Sequence, residues 1–161
     1  MLPSTSHPDS THLQVLVVAS AGRACALPIR HVREIMRPLP IEPFRAAPAF
    51  VLGLSVIRGA TLPVVDLALL LGTERAPSSA SRYVTLKLDS RDVALSVGEV
   101  FGIRELRADE LQDLPGLVDS GASGLVESLT THDSQLLRVL RAASVLPPEA
   151  WSALAGMEAK A

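Results

Sequence analysis

Short aliphatic runs separated by one or two polar or glycine residues recur along the whole chain. That rhythm predicts strands joined by tight turns. Residues 13–19 (LQVLVVA) are β-branched and predict a first strand, Ser20-Ala21-Gly22 a turn, and 23–29 the returning strand. Residues 31–36 have room for about one helical turn before Pro38. Residues 39–44 form a strand-like run flanked by prolines, as at a sheet edge. The segment 52–72, LGLSVIRGATLPVVDLALLLG, is the most informative. It predicts a strand at 52–57, a reversal at Arg58-Gly59, a strand at 62–65, and a short apolar helix ending at Gly72. Asp66 is placed to cap that helix, and Gly72 to end it in a left-handed conformation. Pro63 interrupts the apolar run.

A second series follows the small-residue linker 76–81 (APSSAS). Residues 83–88 alternate with period two, Asp89-Ser90 turns the chain, 91–97 returns, and 100–106 continues as another strand. A polar stretch with Gly116, Gly121 and Gly124 comes next. Strands are predicted at 124–131 and 135–139, joined by His132-Asp133-Ser134. Residues 142–146 predict a short helix stopped by Pro147-Pro148, and 149–157 an amphipathic piece with Trp151, the only tryptophan. Residues 1–12 are polar and predict a disordered tail.

The two series repeat. RACALPIRHVREI (23–35) lies over RDVALSVGEVFGI (91–103) at an offset of 68 residues (91 − 23), with identities at Arg23/Arg91, Ala26/Ala94, Leu27/Leu95, Val32/Val100 and Ile35/Ile103. The preceding strands, 15–19 and 84–88, correspond with one residue of difference in the turn. Two modules of about five short strands suit small closed or nearly closed barrels better than one large sandwich, an all-β fold with a few short helices. Modules of this size are marginal alone and need to share a core. The groove between them is a natural binding site.

Composition narrows the chemistry. Of 161 residues 48% are apolar but only 3% aromatic, so the core is built from Leu, Val, Ile and Ala. With 15 basic and 17 acidic residues the chain lacks the basic excess and the stacking aromatics of a nucleic-acid reader. Cys25 is the only cysteine, which excludes an internal disulfide and a thiolate metal cage, and its setting ACALPI is that of a small buried hydrophobe. No apolar run approaches the ~20 residues of a membrane span. The start carries no secretory pattern, which predicts a cytoplasmic protein.

Catalytic constellations are absent from the sequence. His7, His12, His31 and His132 show no metal-ligand spacing, and Gly53, Gly59 and Gly72 do not form a phosphate loop. Ser55 stands within a strand rather than at a nucleophile elbow. Glu34, Glu42, Asp66, Glu99 and Glu105 lie on separate elements with no pair marked as an acid/base couple. No cofactor is expected. The residue left unexplained is Arg58, a charge at the mouth of an oily hairpin, where an Arg amid exposed aliphatics can anchor an interface.

From residue 13 to 146 the chain resembles the CheW-like domain of bacterial chemosensory adaptors. An apolar strand ends in Arg-Gly, then Pro-Val-Val-Asp-Leu and Leu-Gly follow: Arg58, Gly59, Pro63, Val64, Asp66, Leu67, Leu71 and Gly72 match in order and spacing. The resemblance implies two five-stranded, SH3-like barrels packed on a shared core, the first at 13–75 and the second at 82–146, with a C-terminal helix or tail at 147–161. It implies no catalysis. It implies coupling of a methyl-accepting chemoreceptor's cytoplasmic tip to the regulatory domain of a CheA-type histidine kinase, in receptor arrays, with Val56, Ile57, Arg58 and Gly59 on the partner-facing side. Pro63, Asp66 and Gly72 are structural on this reading. The chain departs from the family pattern at Val56, where Asn is usual, at Ala68, where a basic residue is common, and at Arg138 and Arg141 in LLRVLR, where an acidic residue is usual. The alternatives are a CheW-like regulator that binds a receptor or other signalling partner without the kinase, and a small-molecule enzyme on a β-barrel, for which the sequence offers no polar pocket.

Overall fold

The computed structural model describes residues 12–75, 80–89, 91–113 and 124–158. Five strands make one sheet: β3 (Val32–Met36), β4 (Val51–Ile57), β5 (Ala60–Asp66), β6 (Arg82–Leu88) and β7 (Arg91–Val97), in the order β3-β6-β7-β5-β4. Six make the other: β1 (His12–Ser20), β2 (Arg23–Pro28), β8 (Glu99–Arg107), β9 (Gln112–Asp113), β10 (Val126–His132) and β11 (Gln135–Leu140), in the order β8-β1-β2-β11-β10-β9. Helices α1 (Leu67–Leu70) and α2 (Pro148–Glu158) complete the fold.

Each sheet curls until the chain beyond one edge strand meets the other edge. After β3, Glu42 and Leu54 exchange backbone hydrogen bonds of 2.8 Å in both directions. After β8, Gln112 and Leu129 pair in the same way through β9. This is the barrel-like all-β architecture expected from the sequence.

The repeat is real, and it is more exact than the sequence suggests. Val18 lies opposite Val100 and Val17 opposite Gly102, just as Leu86 lies opposite Val32 and Thr85 opposite Glu34. The offset of 68 therefore runs unbroken through the hairpin, and 15–19 lies over 83–87, not 84–88. The second halves correspond at an offset of 75. Val51 pairs with Val65 and Val126 with Leu140, and both strands bulge at the next step. Parallel pairs β5–β7 and β11–β2 occupy equivalent places.

The boundary at 76–81 does not divide the barrels. Hairpin β1–β2 sits in the sheet with β8–β11, and hairpin β6–β7 in the sheet with β3–β5, so each half of the chain lends its first hairpin to the other. The cause is that these hairpins are apolar on both faces. Leu16, Val18, Cys25 and Leu27 join Val84, Leu86, Val93 and Leu95 in the core between the barrels. Val15, Val17 and Ala26 fill one barrel, while Tyr83 and Ala94 fill the other. A fully buried Leu or Val contributes about 1.5–3 kcal/mol, and no sheet could cover both faces of such a hairpin alone.

Other expectations shift locally. Residues 31–36 are not a helical turn. A 3-10 turn at Ile29–His31 leads into β3, where Val32 and Met36 are half-buried and pair with Leu86 and Tyr83 of β6 while Arg33 and Ile35 are exposed. Of the run 39–44 only Glu42 pairs as a bridge. A 3-10 turn, Ala142–Ser144, replaces the short helix, and Pro148 begins α2 rather than stopping an element. His12 belongs to β1 and not to the tail. Residues 1–11, linker residues 76–79 and the stretch with Gly116 and Gly121 lie outside the described residues.

Candidate functional site

The hairpin β4–β5 turns through two residues with positive φ, Arg58 at +53° and Gly59 at +79°. Such mirror-image turns match the twist of the flanking strands. A non-glycine residue in this region costs about 1–2 kcal/mol, so Arg58 holds a place that its side chain must justify. That side chain reaches across the barrel mouth to Glu34 on the opposite edge strand. Nε donates to Oε2 at 3.2 Å and Nη2 to Oε1 at 3.0 Å. The bidentate fork holds the Glu34 carboxyl below the usual carboxylate range, chiefly by hydrogen bonding, with desolvation opposing and the Arg58 charge adding a smaller pull.

Glu34 is aimed by a bulge. Register in β3 slips between Val32 and Glu34, and the Glu34 amide donates to Thr85 Oγ1 at 3.1 Å. The displaced Arg33 turns to Asp92, 3.5 Å away. Exposed aliphatics lie on these same two edge strands, Val56 at 65% and Ile35 at 45%.

The four expected partner-facing residues separate by strand period. Val56, Arg58 and Gly59 are exposed. Ile57 is buried at 3% and packs with Leu62 and Val64 inside the barrel, so it belongs to the core and not to a surface. Asp66 Oδ2 accepts from the Leu69 amide at 3.0 Å. Gly72 has φ +83°, and Pro63 precedes the parallel pairing with β7, which begins at Val64. Ser55 is buried and donates to the Pro40 carbonyl at 2.9 Å, a packing role. Among the departures, Ala68 is buried at 3%, whereas Val56 and Arg141 are exposed, and Val56 is the one that stands beside the hairpin tip.

Two features escaped the sequence. Glu34 lies 24 residues from Arg58, and only the curl of the sheet brings them together. Beside the hairpin, a groove of about 210 Å³ runs between Leu54, Thr61 and Leu62 and the α2 residues Trp151 and Leu154. The Arg91 guanidinium stacks on the Trp151 ring, 4.8 Å from its centre, and fixes that wall. Among the described residues no cluster of His, Cys, Asp or Glu could hold a metal ion, and no helix is long and apolar enough to cross a membrane.

Comparison with known proteins fits this geometry. A chemotaxis protein CheW of Rhizobium meliloti is 30% identical over 122 residues, 75% of this chain and 79% of that protein. Protein PilI of Pseudomonas aeruginosa is 33% identical over 99 residues, 60% of this chain and 55% of its own length. The crystal structure of the scaffolding protein TtCheW from Thermoanaerobacter tengcongensis superposes with a TM-score of 0.73 at 21% identity, covering 80% of this chain and 88% of that one. The model of the CheW-like domain matches residues 14–149, and the chain belongs to that family.

Proposed function

We propose that this chain is a non-catalytic adaptor that couples a methyl-accepting chemoreceptor to a CheA-type histidine kinase, in the cytoplasm at receptor arrays. The observation that carries the reading is the exposed hairpin tip at the family's hallmark motif, with Arg58 clamped to Glu34 and Val56 standing 65% exposed beside it. The clamp presents a rigid charge next to aliphatic surface, a combination that suits an oriented protein contact. The groove walled by Leu54 and Trp151 adjoins it, since Thr61 in the groove pairs with Val56. An apolar helical tip could rest there, with Arg58 setting its orientation.

A pull-down with receptor tip and kinase regulatory domain tests the reading. The wild-type chain should capture both. Arg58→Glu and Val56→Glu should each lose the receptor while the unfolding midpoint stays nearly unchanged, because both side chains are solvent-exposed. Capture of neither partner by the wild-type chain would sink the proposal. Val56 itself favours a second reading, a regulator that binds receptor but not kinase, because it departs from the family pattern at the exposed tip. Receptor capture without kinase capture would select that reading.

A further inference from the structure

The near-exact repeat supplies an internal control for every buried polar residue, since each position has a twin in the same fold. One row fails that comparison. Tyr83 pairs with Ser96 on β7, and Ser96 lies in register with Asp66 on β5, so the three stand side by side across the sheet. Their twins are Val15 and Pro28, themselves partners in β1–β2, and Arg141. The fold is thus satisfied by apolar residues where this barrel carries two hydroxyls, and by the opposite charge where it carries a carboxylate.

The polar row lines a cavity of about 200 Å³ where the mouth of this barrel meets the turn after β1. Its groups have bonding capacity to spare. Ser96 is only 8% exposed, lines the cavity, and has no hydrogen-bond partner for its hydroxyl among the described residues. Asp66 uses Oδ2 for its helix cap, and its Oδ1 meets only Arg75 Nε at a long 3.6 Å. Arg75 lines the same space, and its guanidinium carries further donors. Tyr83 donates to the Leu39 carbonyl at 3.2 Å and keeps its oxygen free to accept; burial pushes this phenol up, so it stays neutral. Ser20 Oγ accepts from the Gly98 amide at 2.8 Å and retains its proton for donation.

We propose that this cavity binds a small zwitterion of the α-amino-acid class, its ammonium on Asp66 Oδ1 and its carboxylate on Arg75 and Ser96. Adjacent carboxylate and guanidinium groups, each incompletely satisfied, complement a ligand bearing both charges on neighbouring atoms. About 200 Å³, open on one side to solvent, is ample for a small amino acid such as glycine, alanine or serine. The site is separate from the hairpin tip and does not depend on the adaptor reading.

Amide NMR titration of the isolated full-length chain with glycine, L-alanine and L-serine tests it, with methylamine and acetate as half-ligands. Saturable shifts at the Ser96, Gly98 and Ala21 amides are expected with the amino acids and not with either half-ligand. Ser96→Ala and Arg75→Gln should each weaken binding about tenfold, the loss of one charge-assisted hydrogen bond, and leave the ligand-free spectrum folded. Absence of saturation with all three amino acids would overturn the proposal. So would equal shifts from the half-ligands, or undiminished binding by both variants.

Discussion

Arg58 and Glu34 stand on opposite edge strands of one sheet, and their two hydrogen bonds of 3.0 and 3.2 Å bridge the barrel where backbone pairing has ended. The pair is solvent-exposed, with the Arg58 side chain 78% accessible, so it orients the hairpin tip more than it stabilises the fold. Its twin position in the other barrel has Gly102 in place of Glu34 and Asp133 in place of Arg58. The clamp is therefore particular to the first barrel mouth and not a requirement of the architecture.

The clamp should persist on acidification beyond the point where an ordinary glutamate protonates. Arg58 stabilises the ionised form of Glu34, so the folded-state value lies below the usual 4.5. Its contribution is complete above that usual value and is lost only as pH falls through the lowered one. A carbon-detected NMR titration should place the Glu34 midpoint below 4.5, and Arg58→Ala should move it back up. A Glu34 midpoint at or above the ordinary value would show that the pair does not form in solution.

Two glycines near this tip should respond very differently to alanine. Gly53 has φ +148°, and a Cβ there would run into the Glu42 carbonyl and the Ile41 side chain, where the barrel closes. Gly59 has φ +79° but open space around it. Gly59→Ala should cost about 1 kcal/mol, from backbone strain alone. Gly53→Ala adds an overlap with backbone that cannot relax without breaking the Glu42–Leu54 bridge, and should cost about 3 kcal/mol or more. Chemical denaturation of the two variants checks the order; equal losses would mean that the closure is soft.

Much of the fold was legible because its elements are specified locally. The hairpin 52–65, the cap at Asp66 and the left-handed end at Gly72 follow from strand period, an N-cap carboxylate and a missing Cβ, each within a few residues. The pairing of strands was not legible. Nothing near residue 76 tells β6 to join β3, because the signal is apolar character on both faces of β6 and β7, which says only that two layers must cover them. The same limit hid the site's second half. Arg58 was marked by its incongruous charge, whereas Glu34 looked like any surface carboxylate until a bulge and a closed sheet set it opposite. Ile57 was misplaced for a simpler reason: neighbours in a strand face opposite ways, and a contiguous partner-facing run of four cannot survive that period.

Cys25 should be chemically silent in the folded chain. It is fully buried in the core between the barrels, and burial pushes its thiol up to about 12, against the weaker opposing pull of Arg138 and Arg23. Thiolate is the reactive form, so access and ionisation both oppose modification at neutral pH. Labelling with a thiol reagent should follow the rate of unfolding and become fast in denaturant. Rapid labelling under native conditions would contradict the burial of β2 against the sheet that holds β6 and β7.

Exchange of hairpins between the two halves predicts that neither barrel can melt alone. Leu95 lies on β7, pairs with Val84 and Val65, and packs in the core shared by both sheets. Leu95→Ala should cost about 2–5 kcal/mol, the loss of a buried side chain plus the cavity it leaves. A sequential arrangement of barrels would confine that loss to one of them and let the other persist to higher denaturant. Here the withdrawn β6–β7 hairpin would uncover Leu16 and Leu27 of the other sheet, so both should fail together. Far-ultraviolet circular dichroism reports all strands, and the fluorescence of Trp151, held by Arg91 of β7, reports the contact of α2 with the first barrel. The two curves should coincide in the wild type and stay coincident, shifted equally, in Leu95→Ala. Separation of the curves in the variant would mean that each barrel keeps a stability of its own despite the exchanged strands.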